Sequence, residues 1–529
     1  MREVDYTTTP SWVADAVFYQ IFPDRFARHR DAPSVKGLEP WDAPPTVFGF
    51  KGGTLKGVEE HLDYLADLGI TAIYFNPLFQ SPANHRYHTH DYFKIDPLLG
   101  GDEDFDSLLR EAHRQGMRVI LDGVFNHVGR GFYQFNHVLE NGAPSPFVDW
   151  FHFNPAHLEA NDVVAFPSAE HHKKLEEVRA SYDVLGYRAW ADLAPLPKLN
   201  TDNRDVRELI LQVAEHWIHR GIDGWRLDVP EEIDDLPFWQ EFRRRVRAIN
   251  PEAYLVGEIW TRAEEWLEGD RFDAVMNYPF SRNALGFFGG DRLDRTFTPG
   301  GFGLEELNAG ELVSRTAEQL AAYRPETNLA QFNLLGSHDT ARLRTLLSGD
   351  LGRATLATLY LFLLPGAPSI YYGDEIGMSG GDDPECRAAF PWQEEYWDSA
   401  ARDAYKAIIA LRRKRPAIRR GEYAAMLPDG SDGSGSRDQL VIARWTEDEV
   451  VLGVFNRAEE ELQLSLSRST LEAAFGVVVE FRPDLLLRGS GGVVERVRRP
   501  GKLVAEGDRF TLTVPGMSGA VYTALRSGG

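Results

Sequence analysis

The strongest constraint on this chain is a recurrence: a short, apolar, β-branched run, an amphipathic helical stretch closed by glycine, then another run. Eight such runs occur, at residues 16–22, 71–75, 117–122, 222–228, 253–258, 272–277, 330–336 and 368–372. Helical patterns lie between them, among others at 55–68, 105–115, 206–220 and 238–249. Gly69, Gly116 and Gly221 stand where helix C-termini favour glycine. Strands apolar on both faces and each followed by a helix predict an α/β fold, a closed parallel (β/α)8 TIM barrel. A doubly wound open sheet is the alternative.

Between the third and fourth runs the rhythm breaks. Asp122 and Asp228 lie 106 residues apart, where one βα unit needs about 30. The excess, 127–195, is rich in His, Pro, Asn and aromatics and reads as a subdomain inserted over one end of the barrel, which itself takes 1–126 and 196–418. From 419 to 529 the pattern becomes alternating runs such as QLVIARW and EVVLGVFN, expected to form a separate antiparallel all-β C-terminal domain. DGSDGSGS at 429–436 falls between two of those runs and is expected to be a hairpin loop within that domain.

With 43% hydrophobic residues, the 529-residue chain can fill a full core. Its single cysteine excludes an internal disulfide and a cysteine-built metal site, and fits a reducing cytosol. The first residues, MREVDYTTTP, lack the basic and apolar segments of a signal peptide. The most apolar stretch, from Leu356, is broken by Pro365, Gly366 and Pro368 short of a membrane span. A cytoplasmic location without membrane association is expected. Lys and Arg number 57 against 80 Asp and Glu, and the formal charge of −23 repels nucleic acid and anionic lipid, so a neutral substrate fits best.

In such a barrel, catalytic groups come from the C-terminal ends of strands. Those ends carry Asp122, Asp228, Glu258 and the pair His338-Asp339, accompanied by Asn126, His127 and Arg226. Crowded carboxylates raise one another's pKa, a cost that points to acid/base chemistry. Glycoside hydrolysis needs such a set, one carboxylate at the anomeric carbon and one carboxyl to protonate the leaving oxygen. Metal-dependent hydrolysis is the competing chemistry. Arg226 weighs against it, because it lies two residues before Asp228 on the same strand face, where its charge lowers the Asp228 pKa and would compete with a metal ion.

DGVFNH (122–127), GWRLDVPEE (224–232), VGEIW (256–260) and LLGSHD (334–339) resemble the four recurring motifs of the α-amylase superfamily of retaining glycoside hydrolases, in the family's order. LPKLN (196–200) and GDRFDAVMNYPF (269–280) are similar to the cyclomaltodextrinase, neopullulanase and maltogenic amylase subgroup. The resemblance implies Asp228 as nucleophile, Glu258 as general acid/base and Asp339 as transition-state stabiliser. For retention it implies Asp228 and Glu258 carboxyls about 5–5.5 Å apart. It also implies substrate contacts from Tyr87, His127, His338, Arg226, Asp383, Arg387, Trp260 and Glu232. Read as bare residues, Asp383 and Arg387 could be a surface ion pair, Trp260 core, and Glu232 the cap of the following helix. The run 243–245 (RRR) reads as a solvated helix face, and EHHK at 170–173 lacks the partners of a metal site.

The chain departs from the family where relatives carry calcium. An acid-rich loop after the first strand reads RFARHRDAPSV here, Thr54 replaces an Asp, and Glu232 stands where amylases have a histidine. Calcium prefers six to eight oxygen ligands and the family's are largely missing here, so no cofactor is expected to be required, with bound calcium left as the alternative. The first barrel strand starts near Ala16, leaving no room for the extra N-terminal β-domain through which many subgroup members dimerise, so the oligomeric state stays open. The resemblance implies hydrolysis of α-1,4 bonds in maltooligosaccharides, cyclodextrins or pullulan, with some transglycosylation. An α-glucosidase, oligo-1,6-glucosidase or trehalose-forming isomerase on the same scaffold is one alternative. A non-catalytic sugar-binding or transporter-subunit barrel is another.

Overall fold

The computed structural model describes residues 8–32, 35–428, 437–475, 481–490, 492–497 and 503–526. Eight parallel strands form the centre: β1 (Phe18–Ile21), β2 (Ala72–Phe75), β3 (Arg118–Gly123), β4 (Gly224–Leu227), β5 (Tyr254–Gly257), β6 (Ala274–Val275), β7 (Phe332–Asn333) and β8 (Ala367–Tyr371). Their spatial order is β6-β5-β4-β3-β2-β1-β8-β7, and a parallel bridge from Met276 to Phe332 joins the two ends. The sheet is therefore a closed barrel, as the repeat of apolar runs predicts.

Register decides what the barrel contains. Phe18 lies opposite both Ala72 and Ser369, Ile120 opposite Gly224, and Gly224 opposite Tyr254. Every second residue points inward, so Phe18, Tyr74, Ile120, Tyr254, Val256 and Phe332 pack as an inner core, while Tyr19, Ile73, Val119, Trp225 and Leu255 pack outward against the helices. Gly224 is required in that inner layer: a Cβ there would lie 2.1 Å from the Tyr254 carbonyl oxygen. The same period carries Ile120 to Asp122, Gly224 to Arg226 and Asp228, and Val256 to Glu258. The apolar plug thus continues upward into a polar floor.

Three expectations need correction. The stretch 55–68 is two helices, Leu55–Glu60 and Leu62–Leu68, separated at His61. The His61 ring packs against Trp392 at 3.7 Å and its Nδ1 lies 2.7 Å from the Gly57 carbonyl oxygen, a side-chain bond that competes with the helix ladder. β6 and β7 are two-residue strands, because Asn277 turns out to cap helix Tyr278–Gly289 and the residues after Asn333 leave the sheet. The 243–245 run is not a solvated face. Arg243 is buried with Arg247 against Asp273, at 2.9 and 2.7 Å, and Arg245 bridges Glu208 and Glu215; Arg244 alone of the three is mainly exposed.

Between β3 and the helix Arg204–Arg220 the chain makes short helices around an aromatic cluster of Phe135, Phe151, Phe153 and Tyr187. It returns beside its own start, with His127 bridged to Lys198 and Phe151 to Leu199. The C-terminal region is antiparallel: a six-stranded sheet whose order is β9 (Glu422–Met426), β10 (Gln439–Trp445), β11 (Glu449–Asn456), β17 (Ser518–Leu525), β13 (Arg482–Ser490), β14 (Val493–Arg496), and a three-stranded sheet of β12 (Leu462–Ser467), β16 (Arg509–Val514) and β15 (Val504–Glu506). The run 429–436 lies outside the described residues; the strands beside it, β9 and β10, pair with Met426 opposite Val441. The helix Leu351–Leu363 is buried along its whole length, because it is wedged between barrel and C-terminal sheet. Among the described residues, no helix is long and apolar enough to cross a membrane.

Candidate active site

The acids singled out in the sequence meet on one cation. Arg226, fully buried, donates Nη1 to Asp122 Oδ1 and to Asp228 Oδ1, both at 2.8 Å. Its Nη2 lies 2.8 Å from Glu258 Oε2 as a charge contact without hydrogen-bond alignment. Asp122 is held further by Tyr74 and Tyr87, whose hydroxyls donate to Oδ2 at 2.7 and 2.8 Å. Three carboxyls from three adjacent strand ends therefore share one guanidinium, and Asp122 lies beneath the other two.

Above this floor opens a cleft of about 390 Å³ lined by Asp228, Glu258 and Asp339 together. Tyr87, His127, Trp260, Asp383 and Arg387 also reach it. Arg387 bridges Asp339 (3.2 Å) and Asp383 (3.1 Å), so the Asp383 pair belongs to the cleft wall and not to a helix surface. Trp260 donates Nε1 to Glu258 Oε1 at 3.2 Å, and the Val229 backbone N–H meets Oε2 at 3.2 Å. Val229 has φ +36°, a costly left-handed conformation for a β-branched residue.

His338 lies below the surface of the cleft. Gln20 Nε2 donates to its Nδ1 at 2.9 Å, which assigns the ring proton to Nε2, facing Tyr87 Oη at 2.7 Å and Asp339 Oδ2 at 3.1 Å. Burial pushes its pKa well down, and that of His127 to about 3, so both rings are neutral. The His127 Nε2 is buried and has no protein partner. Glu232 stands apart at the rim, half-exposed and paired with Lys198 Nζ at 2.8 Å; it caps nothing, since Asp235 caps the next helix.

Electrostatics separate the two central carboxyls, though not as the sequence suggests. The spacing in the chain predicts that Arg226 holds Asp228 below the usual carboxylate range. Burial outweighs that pull and, with Asp122 adding repulsion, pushes Asp228 up to about 7. Burial raises Glu258 further, with Asp228 and Asp339 adding to it against Arg226. The proton shared by the pair therefore rests on Glu258 while Asp228 ionises first.

Sequence reasoning missed Gln20, Tyr74, Val229 and Trp190. Gln20 and Tyr74 sit two residues beyond the inner-core residues Phe18 and Ala72, so the strand period could have flagged them as polar side chains at inward positions. Trp190, from the insertion, stacks on His127 at 5.2 Å and 17° and lines the cleft, held by left-handed Ala191 and Asp192 (φ +51° and +57°). Nothing in its neighbourhood in sequence marks it.

In the segment after β1, Lys51 is fully buried and donates Nζ to the carbonyls of Pro40 (2.7 Å) and Ala43 (2.6 Å), beside Glu39 at 3.3 Å. The ammonium of Lys51 itself takes up the oxygens there. Near Asn126 one buried amide oxygen is free, and the Glu232 carboxylate is taken by Lys198. Among the described residues, no group of three or more His, Cys, Asp or Glu is placed to hold a metal ion, the EHHK helix included.

Residues 20–420 match the family of the α-amylase catalytic domain. The chain belongs to the α-amylase family of glycoside hydrolases. It is 43% identical over 468 residues to a cyclomaltodextrinase of Geobacillus thermopakistaniensis, covering 88% of this chain and 73% of that protein. Among solved structures it is similar to a debranching enzyme of Nostoc punctiforme (40% identity, TM-score 0.80, 97% of this chain and 99% of the other). It is also similar to a cyclic α-maltosyl-(1→6)-maltose hydrolase from Arthrobacter globiformis (35%, TM-score 0.80, 98% and 100%). The non-catalytic barrel alternative fails on the family match together with the intact acidic cluster.

Proposed function

We propose that this enzyme hydrolyses α-1,4-glucosidic bonds of maltooligosaccharides, cyclodextrins or pullulan with retention of configuration. The observation that carries the reading is the convergence of Asp228, Glu258 and Asp339 on one cleft above one shared arginine. In the first step the Asp228 carboxylate attacks the anomeric carbon, the glycosidic C–O bond breaks, and the Glu258 proton passes to the leaving oxygen. In the second, Glu258, now anionic, takes a proton from water as its oxygen displaces Asp228 from the same carbon. A sugar hydroxyl in place of water gives transfer. Asp339, oriented by Arg387 and His338, accepts hydrogen bonds from ring hydroxyls and stabilises the positive charge that develops between the steps. No cofactor enters these steps, and activity should survive EDTA.

The experiment is product analysis on β-cyclodextrin, maltotriose and pullulan with the anomeric form read by NMR, alongside Asp228→Asn. Linear maltooligosaccharides with α-configuration, and no turnover by the variant, support the reading; release of glucose alone from chain ends overturns it. A second reading, cleavage of α-1,6 bonds, is favoured by the likeness to the Nostoc debranching enzyme and the Arthrobacter hydrolase. Pullulan separates them, since α-1,6 cleavage yields maltotriose and α-1,4 cleavage a mixed-linkage trisaccharide. The proposal includes a cytoplasmic location, in keeping with one buried thiol and no disulfide partner, which cell fractionation tests.

A further inference from the structure

The tryptophan beside the acid/base has both ring faces occupied. One face stacks on Tyr278, with centroids 3.6 Å apart and planes 5° from parallel. Toward the ring comes Gly300, at φ +61°; a Cβ there would sit 2.2 Å from Cε3 and 2.6 Å from both Cδ2 and Cζ3. Distances to the two flanking carbons as short as 2.6 Å place that Cβ above the ring plane and not beyond its edge, so only a glycine lets the backbone close over the indole. The enclosure is braced from outside: Arg282 donates Nη1 and Nη2 to the Trp260 carbonyl at 3.2 Å each, and its guanidinium packs over Phe302, two residues past Gly300. Tyr278 is fixed through its hydroxyl on Ser337 at 3.0 Å.

A ring sandwiched in this way has no free face on which a sugar can stack. What it presents to the cleft is its edge, and that edge carries the one polar atom of the side chain, Nε1, 3.2 Å from Glu258 Oε1. The other carboxyl oxygen meets the Val229 N–H, which the left-handed Val229 backbone aims at Oε2.

We propose that Trp260 is a positioning residue for Glu258, not a sugar platform, and that Gly300 and Tyr278 exist as the two jaws that hold its indole N–H on the acid/base carboxyl. The inference rests on Glu258 being the acid/base. An indole N–H can only donate, so it favours the carboxylate over the acid and fixes the direction in which the proton is delivered. Losing it should weaken proton delivery to poor leaving groups and move the Glu258 titration upward in pH.

The test is Trp260→Phe, which keeps an aromatic ring and removes the donor, with Gly300→Ala as a second variant that pushes the ring from outside. Each is assayed for kcat/KM against pH on maltotriose, whose departing alcohol needs a proton, and on α-maltosyl fluoride, whose fluoride leaves with little help. The expected result is a loss of about tenfold or more on maltotriose, the scale of one hydrogen bond to a charged group. Loss on the fluoride should stay within about threefold, and the basic limb should shift to higher pH in both variants. Equal losses on both substrates with the basic limb unmoved would overturn the proposal, as would a defect confined to KM for glucans, which is the signature of stacking. Failure of the underlying reading looks different: the wild-type protein would turn over neither substrate, or Asp228→Asn would still consume the fluoride.

Discussion

Replacing Arg226 with methionine removes the one positive charge shared by Asp122, Asp228 and Glu258 while keeping the volume of the stem. With the guanidinium present, Asp228 titrates at about 7, so about half of it is ionised at pH 7. An opposite charge in direct contact is worth about 1–3 pKa units. Without it the ionised fraction at pH 7 falls to between about one in ten and one in a thousand, so kcat/KM should drop about five- to 500-fold from ionisation alone. The assay is kcat/KM on maltotriose from pH 5 to 10, and its marker is the acid limb moving upward by one unit or more. Stability changes in a defined direction as well. A carboxyl whose folded pKa stands above its unfolded value favours folding while protonated, and that contribution is lost as pH rises through the folded pKa. The variant should therefore lose stability between about pH 7 and 9 more steeply than the parent, by about 1.4 kcal/mol for every pH unit that the Asp228 titration moves upward. An acid limb that stays in place, or a loss of activity equal at every pH, would show that Arg226 acts only as a structural strut.

In the unaltered enzyme, kcat/KM should rise through an apparent pKa near 7 as Asp228 ionises and fall again at higher pH as Glu258 loses its proton; a flat profile between pH 5 and 8 contradicts this. Trp190→Ala removes the ring stacked on His127 and should raise KM for β-cyclodextrin about two- to tenfold with kcat little changed, the scale of an aromatic contact. Lys51→Met strips a buried ammonium from two carbonyls and Glu39, and should cost about 2–4 kcal/mol by urea denaturation; an unshifted midpoint would mean that the loop holds without it.

Much of the barrel could be read from the chain because two periodicities speak at once. Strand residues buried on both faces leave continuous apolar runs, and the two-residue alternation already places Arg226 and Asp228 on one side. What escaped reading was set by partners distant in sequence. Arg243 looks like a surface charge until Asp273, thirty residues on, is seen to meet it inside. His61 sits in a good helical pattern and breaks it because Trp392 arrives from the segment after the last barrel strand, more than three hundred residues on in the chain. Trp190 lies in an insertion with no period at all, and its place over His127 depends on how that insertion folds back. The Asp228 pKa escapes for a related reason: the sequence shows Arg226 beside it but not the depth at which the pair is buried, nor Asp122 leaning on the same cation.

The helix Leu351–Leu363 has a consequence for how the chain is made. Its outer side is covered by the C-terminal sheet: a Cβ at Gly519 would meet Leu356 and Leu359, Tyr360 packs on Phe455, and Arg444 binds the Leu363 carbonyl at 2.8 Å. Of that sheet's strands β17 comes latest in the chain, yet it lies inside the sheet, between β11 and β13. While the ribosome is still working, the barrel thus carries a greasy flank whose cover stays incomplete until that strand joins its neighbours. Clipping the chain before Ser518 should leave the catalytic residues encoded yet deliver an aggregate, which makes a sheet that contributes nothing to the cleft the gatekeeper of its yield.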